Sequence, residues 1–345
     1  MNDNSKVLKS FASDNYSGVH PVILEAMAKC NTDHEPSYGS DRYTESLNGM
    51  FSELFLSQVR AYPMLTGTGA NIVALKAALK PWQSVICSTT AHINVDEGGA
   101  PEMSGGVKLL TVGNNLGKIS VDSIKEQAWG WGDQHRSQPG LVSITQSSEL
   151  GTTYTLSEIE EISEFCKKSG MRLHVDGARL PNAMVSENHK FADYVNAGVD
   201  IISLGGTKCG SMISETIIVI NNDINDGIKY IRKSSSQLYS KMRFLSAQTH
   251  TLYSTNLWHD LSSNANVMAR LLREQLQASN ILFPYPTQAN AVFAIIPKRS
   301  ISLLQKKWSF YVWDESINLV RWMTSWDTTE ADVYGFVNDI KESLV

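Results

Sequence analysis

Apolar residues along this chain recur in two alternating rhythms. Short runs rich in Val, Ile and Leu read as strands at Ser84–Cys87, Leu141–Ile144, Arg172–Val175, Ile201–Leu204 and Thr216–Ile220. Between them, Leu156, Ile159, Ile162, Phe165 and Cys166 fall on one face of a helix. Ser157 with Glu160 predicts a capping box at its start, and Gly170 predicts its stop. Phe191–Ala197 reads as a second helix. The resulting β-α-β-α-β order predicts an α/β fold around a largely parallel sheet, whose ligands gather beyond the carboxyl ends of the strands. Upstream, Ala70–Leu79 reads as an Ala/Leu/Ile-rich helix stopped before Pro81. Downstream, a long amphipathic helix over Leu257–Leu276 leads toward a smaller unit with strands at Ala291–Ile296 and Ser316–Trp322.

Composition narrows the function classes without naming one. With 345 residues, the chain is long enough for about two domains, or for one large α/β unit with an appendage. Hydrophobic residues at 42% and charged residues at 19% exclude a disordered chain. A net charge of -5 argues against a nucleic-acid binder with a dominant basic surface. The four cysteines form no C-x-x-C pair, so neither a zinc site nor a disulfide framework is expected, and no metal is assigned. Met1–Ser13 is polar and lacks a signal-peptide core, and no apolar run approaches the ~20 residues of a membrane span. The expected address is the cytoplasm, with no membrane or nucleic-acid partner.

Candidate chemistry sits at the strand ends. Thr66-Gly67-Thr68-Gly69 feeds the helix from Ala70, but Ala70-Asn71-Ile72 supplies no third glycine, which disfavours dinucleotide binding and leaves a phosphate cradle or a plain turn. Asp176, in His174-Val-Asp-Gly-Ala-Arg179, ends a strand; alone, such an Asp is more often a cap or an ion-pair partner. Lys208 follows Gly205-Gly-Thr at the next strand end. Together the two make chemical sense as a pyridoxal phosphate site, with Lys208 forming the Schiff base and Asp176 keeping the pyridine nitrogen protonated. His92 then acquires a role, since imidazole both stacks on a ring and handles protons. Arg179 offers a planar fork for a substrate carboxylate, or pairs with a nearby acid.

Ser13-Asp14, Tyr38-Gly39, Gly67-Thr68-Gly69, His92 with Glu97, His174–Arg179 and Gly205–Lys208 together resemble the L-threonine aldolases, of the aromatic amino acid β-eliminating lyase/threonine aldolase group. The likeness runs from about residue 11 to the region of Arg321. It implies the fold type I architecture of pyridoxal enzymes: a mostly parallel seven-stranded sheet flanked by helices, with a small α+β domain. The expected division is residues 16–255 for the cofactor domain and 1–15 with 256–345 for the small one. Lys208, His92 and Asp176 are the implied catalytic residues. Gly67, Thr68, Gly69, Thr207 and Arg179 join them around pyridoxal 5'-phosphate, with the phosphate on the Thr68 and Gly69 end. Ser13, Arg179 and Arg321 would hold the substrate carboxylate, and Tyr38 would reach a neighbouring subunit's site in a homodimer or homotetramer. The implied reaction is retro-aldol cleavage of L-threonine, L-allo-threonine and related β-hydroxy-α-amino acids to glycine and an aldehyde, in threonine breakdown and glycine supply. The nearest rivals are a β-eliminating lyase and an aminotransferase; a nicotinamide oxidoreductase and a non-catalytic relative stand further off. Where many relatives read E-N-T-H, this chain has Ile144-Thr-Gln-Ser-Ser148, so the histidine placed near the substrate hydroxyl is missing. His135 or a water is expected to stand in for it, and Gln146 to approach the cofactor.

Overall fold

The computed structural model describes residues 9–224 and 227–344. The first eight residues, part of the expected small-domain segment 1–15, lie outside them. Seven strands build the main sheet: β1 (Arg60–Met64), β2 (Gln83–Ser88), β3 (Lys108–Val112), β4 (Gln138–Thr145), β5 (Arg172–Gly177), β6 (Ile201–Gly205) and β7 (Glu215–Val219). Their spatial order is β1-β7-β6-β5-β4-β2-β3. The run from β6 to β3 is parallel, while β7 lies antiparallel to both β6 and β1. Strands β5, β6 and β7 are buried along nearly their whole length, which is why they read as unbroken apolar runs. This is the mostly parallel sheet flanked by helices that the β-α-β order predicts, with β7 as an antiparallel exception the order does not foresee.

Some details differ from expectation. The helix after β4 spans Leu156–Lys168, and its capping box is Thr155 with Glu158 rather than Ser157 with Glu160. Both pairs offer a hydroxyl followed three residues later by an acid. The structure selects the earlier pair, whose Glu158 also binds Lys118 Nζ at 2.6 Å. Gly170 does stop the helix, at a positive φ of 68°. The helix at the glycine turn begins at Gly67 itself and runs to Ala78, capped by Thr66. The strand expected from Ser316 starts only at Leu319.

A second core lies beyond the long helix Leu257–Gln275. Strands β8 (Ala291–Ile295), β9 (Tyr311–Asp314) and β10 (Leu319–Met323) form an antiparallel sheet in the order β8-β10-β9, covered by the helix Glu330–Leu344. Trp308, Phe310, Trp322 and Phe336 fill this core. Phe11 joins them from the other end of the chain, stacked on Phe336 at 4.4 Å between ring centroids. Its amide donates to the Ser309 carbonyl, and its own carbonyl accepts from the Met323 amide. The residues that follow Phe11 run straight toward the ends of β5 and β6.

Candidate active site

Adjacent parallel strands deliver the two central groups. Asp176 lies in β5, paired in register with Ser203 of β6, and Lys208 sits in the 3-10 turn Thr207–Cys209 that follows β6. Asp176 is 5% exposed. Its Oδ2 accepts from Asn71 Nδ2 at 2.8 Å and its Oδ1 from the Ala178 amide at 3.1 Å. Asn71, on the second turn of the helix Gly67–Ala78, also donates to Glu97 Oε1, which bonds His92 Nδ1 at 2.9 Å. A chain His92–Glu97–Asn71–Asp176 therefore fixes one wall of the cleft. The Glu97 hydrogen bond is the main reason the His92 imidazole holds its proton more tightly than usual. Lys208 Nζ has no hydrogen bond or ion pair among the described residues, and burial, reinforced by the nearby Arg179 charge, lowers its pKa. A buried lysine kept toward its neutral form is what nucleophilic attack on a carbonyl carbon requires.

The cleft is continuous across three lobes. The inner lobe is lined by Asn71, His92, Glu97, Glu149, Asp176 and Lys208, among others. A second lobe, toward the helix N-terminus, is lined by Gly67, Thr68, Thr207, Lys208 and Glu215. The outer pocket, about 620 Å³, reaches Ser13, Arg179, Tyr311, Trp313 and Arg321. Gly67 and Thr68 thus present the first turn of a helix, where backbone N–H groups lack partners within the helix. Gly69 does not join them: its amide is already bonded to Thr66 Oγ1 at 3.0 Å. Its missing side chain serves packing instead, since a Cβ there would sit 2.2 Å from Gln237 Cδ. Thr207 donates its amide to Glu215 Oε1, and burial raises that carboxyl to about 6.

The arginines divide their tasks unequally. Arg179 grips Asp14 through Nε at 2.7 Å and Nη2 at 3.0 Å, leaving Nη1 without a partner among the described residues. Burial alone would raise the Asp14 carboxyl; the Arg179 guanidinium reverses this and holds it at about 2. Among the described residues, Arg321 makes one long bond, from Nη2 to the Ala12 carbonyl at 3.3 Å, and its buried Nε has no partner. Burial, together with the Arg179 charge, lowers it to about 10. Ser13 lines the same pocket, its hydroxyl accepting from the Asn15 amide.

Other expected residues lie away from the cleft. His135 is exposed and precedes β4, whereas the cleft lies at that strand's other end; the seven steps from Gln138 to Thr145 span about 23 Å. Gln146 is fully buried and spends both ends of its amide on the Tyr154 backbone, so it faces away from the cavity. Tyr38 is half-exposed, with the Lys233 ammonium over its ring, and lines none of the three lobes. Asp14, Asn71 and Glu149 are what sequence reasoning assigned no role, because each draws its meaning from partners far along the chain.

A bound polar molecule is written into this cavity. Among the described residues, Asn71 Oδ1, Glu97 Oε2 and Ser147 Oγ are buried there without hydrogen-bond partners, beside a lysine that no acid pairs. Residues 10–298 match the family model described as beta-eliminating lyase. The chain belongs to that family. Pyridoxal 5'-phosphate is its cofactor, and the residues present fit it: an amine for its aldehyde, a carboxylate for its ring nitrogen and helix amides for its phosphate. The chain is 38% identical to a low specificity L-threonine aldolase of Pseudomonas aeruginosa, over 96% of this chain and 97% of that one. It is 39% identical to a second such enzyme, from a Pseudomonas species, over 99% of each. A threonine aldolase structure from Leishmania major superposes with a TM-score of 0.92 at 31% identity, covering 97% of this chain and 99% of that one. Fold type I and the lyase class follow from these likenesses. Among the described residues, no helix is long and apolar enough to cross a membrane.

Proposed function

We propose that this beta-eliminating lyase family member is an L-threonine aldolase, cleaving L-threonine, L-allo-threonine and related β-hydroxy-α-amino acids to glycine and an aldehyde. The observation that carries the reading is Lys208 and Asp176 at neighbouring strand ends beneath a pocket in which Arg321 has no carboxylate partner among the described residues. When bound, the cofactor supplies an electron sink for the pair released at Cα. The chain's own residues do the rest. Lys208 would hold the cofactor through its Nζ. Asp176, oriented by Asn71, keeps the ring nitrogen protonated. Gly67, Thr68 and Thr207 receive the phosphate, and His92 covers the ring, locked in orientation by Glu97. Arg321, with Nη1 of Arg179 and the Ser13 hydroxyl, receives the substrate carboxylate. Arg179 contributes less than a free guanidinium, because two of its nitrogens are committed to Asp14.

The enzyme would act in the cytoplasm in glycine supply and threonine breakdown, as a homodimer or homotetramer in which Tyr38 reaches a neighbour's cleft. The reading is supported by exposed Tyr16 and Tyr38, and is tested by sedimentation. The activity is tested by coupling aldehyde release from L-threonine to an alcohol dehydrogenase. Purified protein is expected to show a visible band that borohydride bleaches, and Lys208→Ala is expected to lose both the covalent adduct and turnover. A coloured protein that releases no aldehyde but consumes 2-oxo acids would be an aminotransferase instead.

A further inference from the structure

Glu149 stands at the seam of the cleft. Among the described residues, only it, His92, Arg179 and Lys208 line both the inner lobe and the outer pocket. The other three have prior roles: Lys208 carries the cofactor, Arg179 is clasped by Asp14, and the His92 ring is pinned through Nδ1 to Glu97. Glu149 is held just as firmly but leaves its chemistry open. Its Oε1 accepts from the His92 amide at 2.9 Å and from Thr145 Oγ1 at 2.8 Å. Its Oε2 has no hydrogen-bond partner among the described residues, and the side chain lines both lobes of the cavity.

We infer that Glu149 is a catalytic residue of this site, the carboxylate that takes the proton from the substrate's β-hydroxyl. The inference rests on the aldolase reading above. In the cleavage direction, the hydroxyl O–H bond breaks and its proton passes to Glu149 Oε2. The electrons of that bond form the aldehyde C=O. The Cα–Cβ bond breaks and its pair stays with the glycine carbon, for which the cofactor would supply the electron sink. No oxidant or further reactant is needed. The same carboxyl, once protonated, returns the proton to the aldehyde oxygen in the condensation direction.

The surroundings suit this cycle. Burial raises the Glu149 carboxyl to about 7, so both protonation states are populated near neutrality. The groups that face it are Asp176 from β5, which disfavours its charge, and Arg179, His92 and Lys208 across the cleft; Cys87 of β2 and Tyr154 also feel it. An ordinary carboxyl near 4.5 would be a weaker base for a hydroxyl proton, and a fully neutral one no base at all.

The test compares wild type with Glu149→Gln, which preserves size and an acceptor for the His92 amide. Cofactor absorbance and the dissociation constant for glycine, read from the spectral change on titration, are expected to stay within about threefold. The kcat for L-threonine cleavage is expected to fall by about 10²–10⁴. The limb of the wild-type pH profile near 7 should disappear in Glu149→Gln and persist in His92→Asn. Unchanged cleavage by Glu149→Gln would overturn the assignment while leaving the aldolase reading intact. So would a loss of glycine binding that matches the loss of turnover, since that marks a positioning role. Absence of aldehyde from wild type itself would overturn the aldolase reading, and the Glu149 assignment with it.

Discussion

The two ends of the cleft are built on different terms. At the inner end the catalytic side chains are held in place from within the chain, Asp176 by Asn71 and Ala178, His92 by Glu97, Glu149 by Thr145 and the His92 amide, while Asn71 Oδ1, Glu97 Oε2 and Lys208 Nζ keep an open end toward the cofactor. At the outer end, Arg321 rests between the rings of Tyr311 and Trp313 with its Nε unpaired. Fixed groups lose little freedom when a cofactor arrives, which favours one geometry for the reacting atoms. An unpaired guanidinium instead gains most when a carboxylate meets it, so it governs which molecules stay. Rigidity serves the chemistry, and an open donor serves recognition.

The sharpest way to break this contrast is at its hinge, the Asp14–Arg179 pair. Asp14→Asn strands a buried guanidinium and is expected to cost about 3–5 kcal/mol in urea unfolding. Replacing Arg179 by Met in the same chain should recover part of that loss. A next, smaller effect is expected at the outer end. Arg321→Ala should raise KM for threonine by about 10–100-fold, equivalent to one charge-assisted hydrogen bond or a bidentate pair, with cofactor content unchanged in absorbance.

Acid should probe the pair without mutation. Asp14 sits at about 2 in the folded protein against an ordinary 3.8, so its contribution is complete above about pH 4. That contribution, of about 2 kcal/mol, drains away as pH falls through the folded value. Thermal unfolding between pH 5 and 2 should therefore show a loss that Asp14→Asn no longer shows. Smallest of all is His135→Ala. On an exposed loop at the far end of β4, it should leave kcat/KM and stability within about 0.5 kcal/mol.

How much of this was legible beforehand follows from what hydrophobic rhythm encodes. Runs such as Ile201–Leu204 identify strands because a sheet covered on both faces must be apolar on both. Residues just past such runs, Asp176 and Lys208, inherit a position from the parallel topology. The same rhythm carries no strand direction, so nothing in Thr216–Ile220 marks β7 as antiparallel. His135 was drawn toward the site by nearness in sequence to Ile144, although a strand carries its two ends far apart. Asp14 clasps Arg179 across 165 positions, and no local pattern announces such a partner. Glu149 did carry a signal, an acid among small polar residues just beyond a buried strand. Its meaning depended on the bend that turns it back toward His92.

The path of the N-terminal segment has a mechanical consequence. Phe11 is riveted into the small core, and three residues later Asp14 clamps the floor of the main one. Three residues of extended backbone reach only about 10 Å. The small sheet is thus on a short leash: it cannot swing away from the cofactor floor by more than that slack without tearing out an aromatic ring or a buried ion pair. Arg321, which rides on the small sheet, is kept within range of Lys208 by that tether, so the grip on the substrate and the grip on the cofactor stay in step.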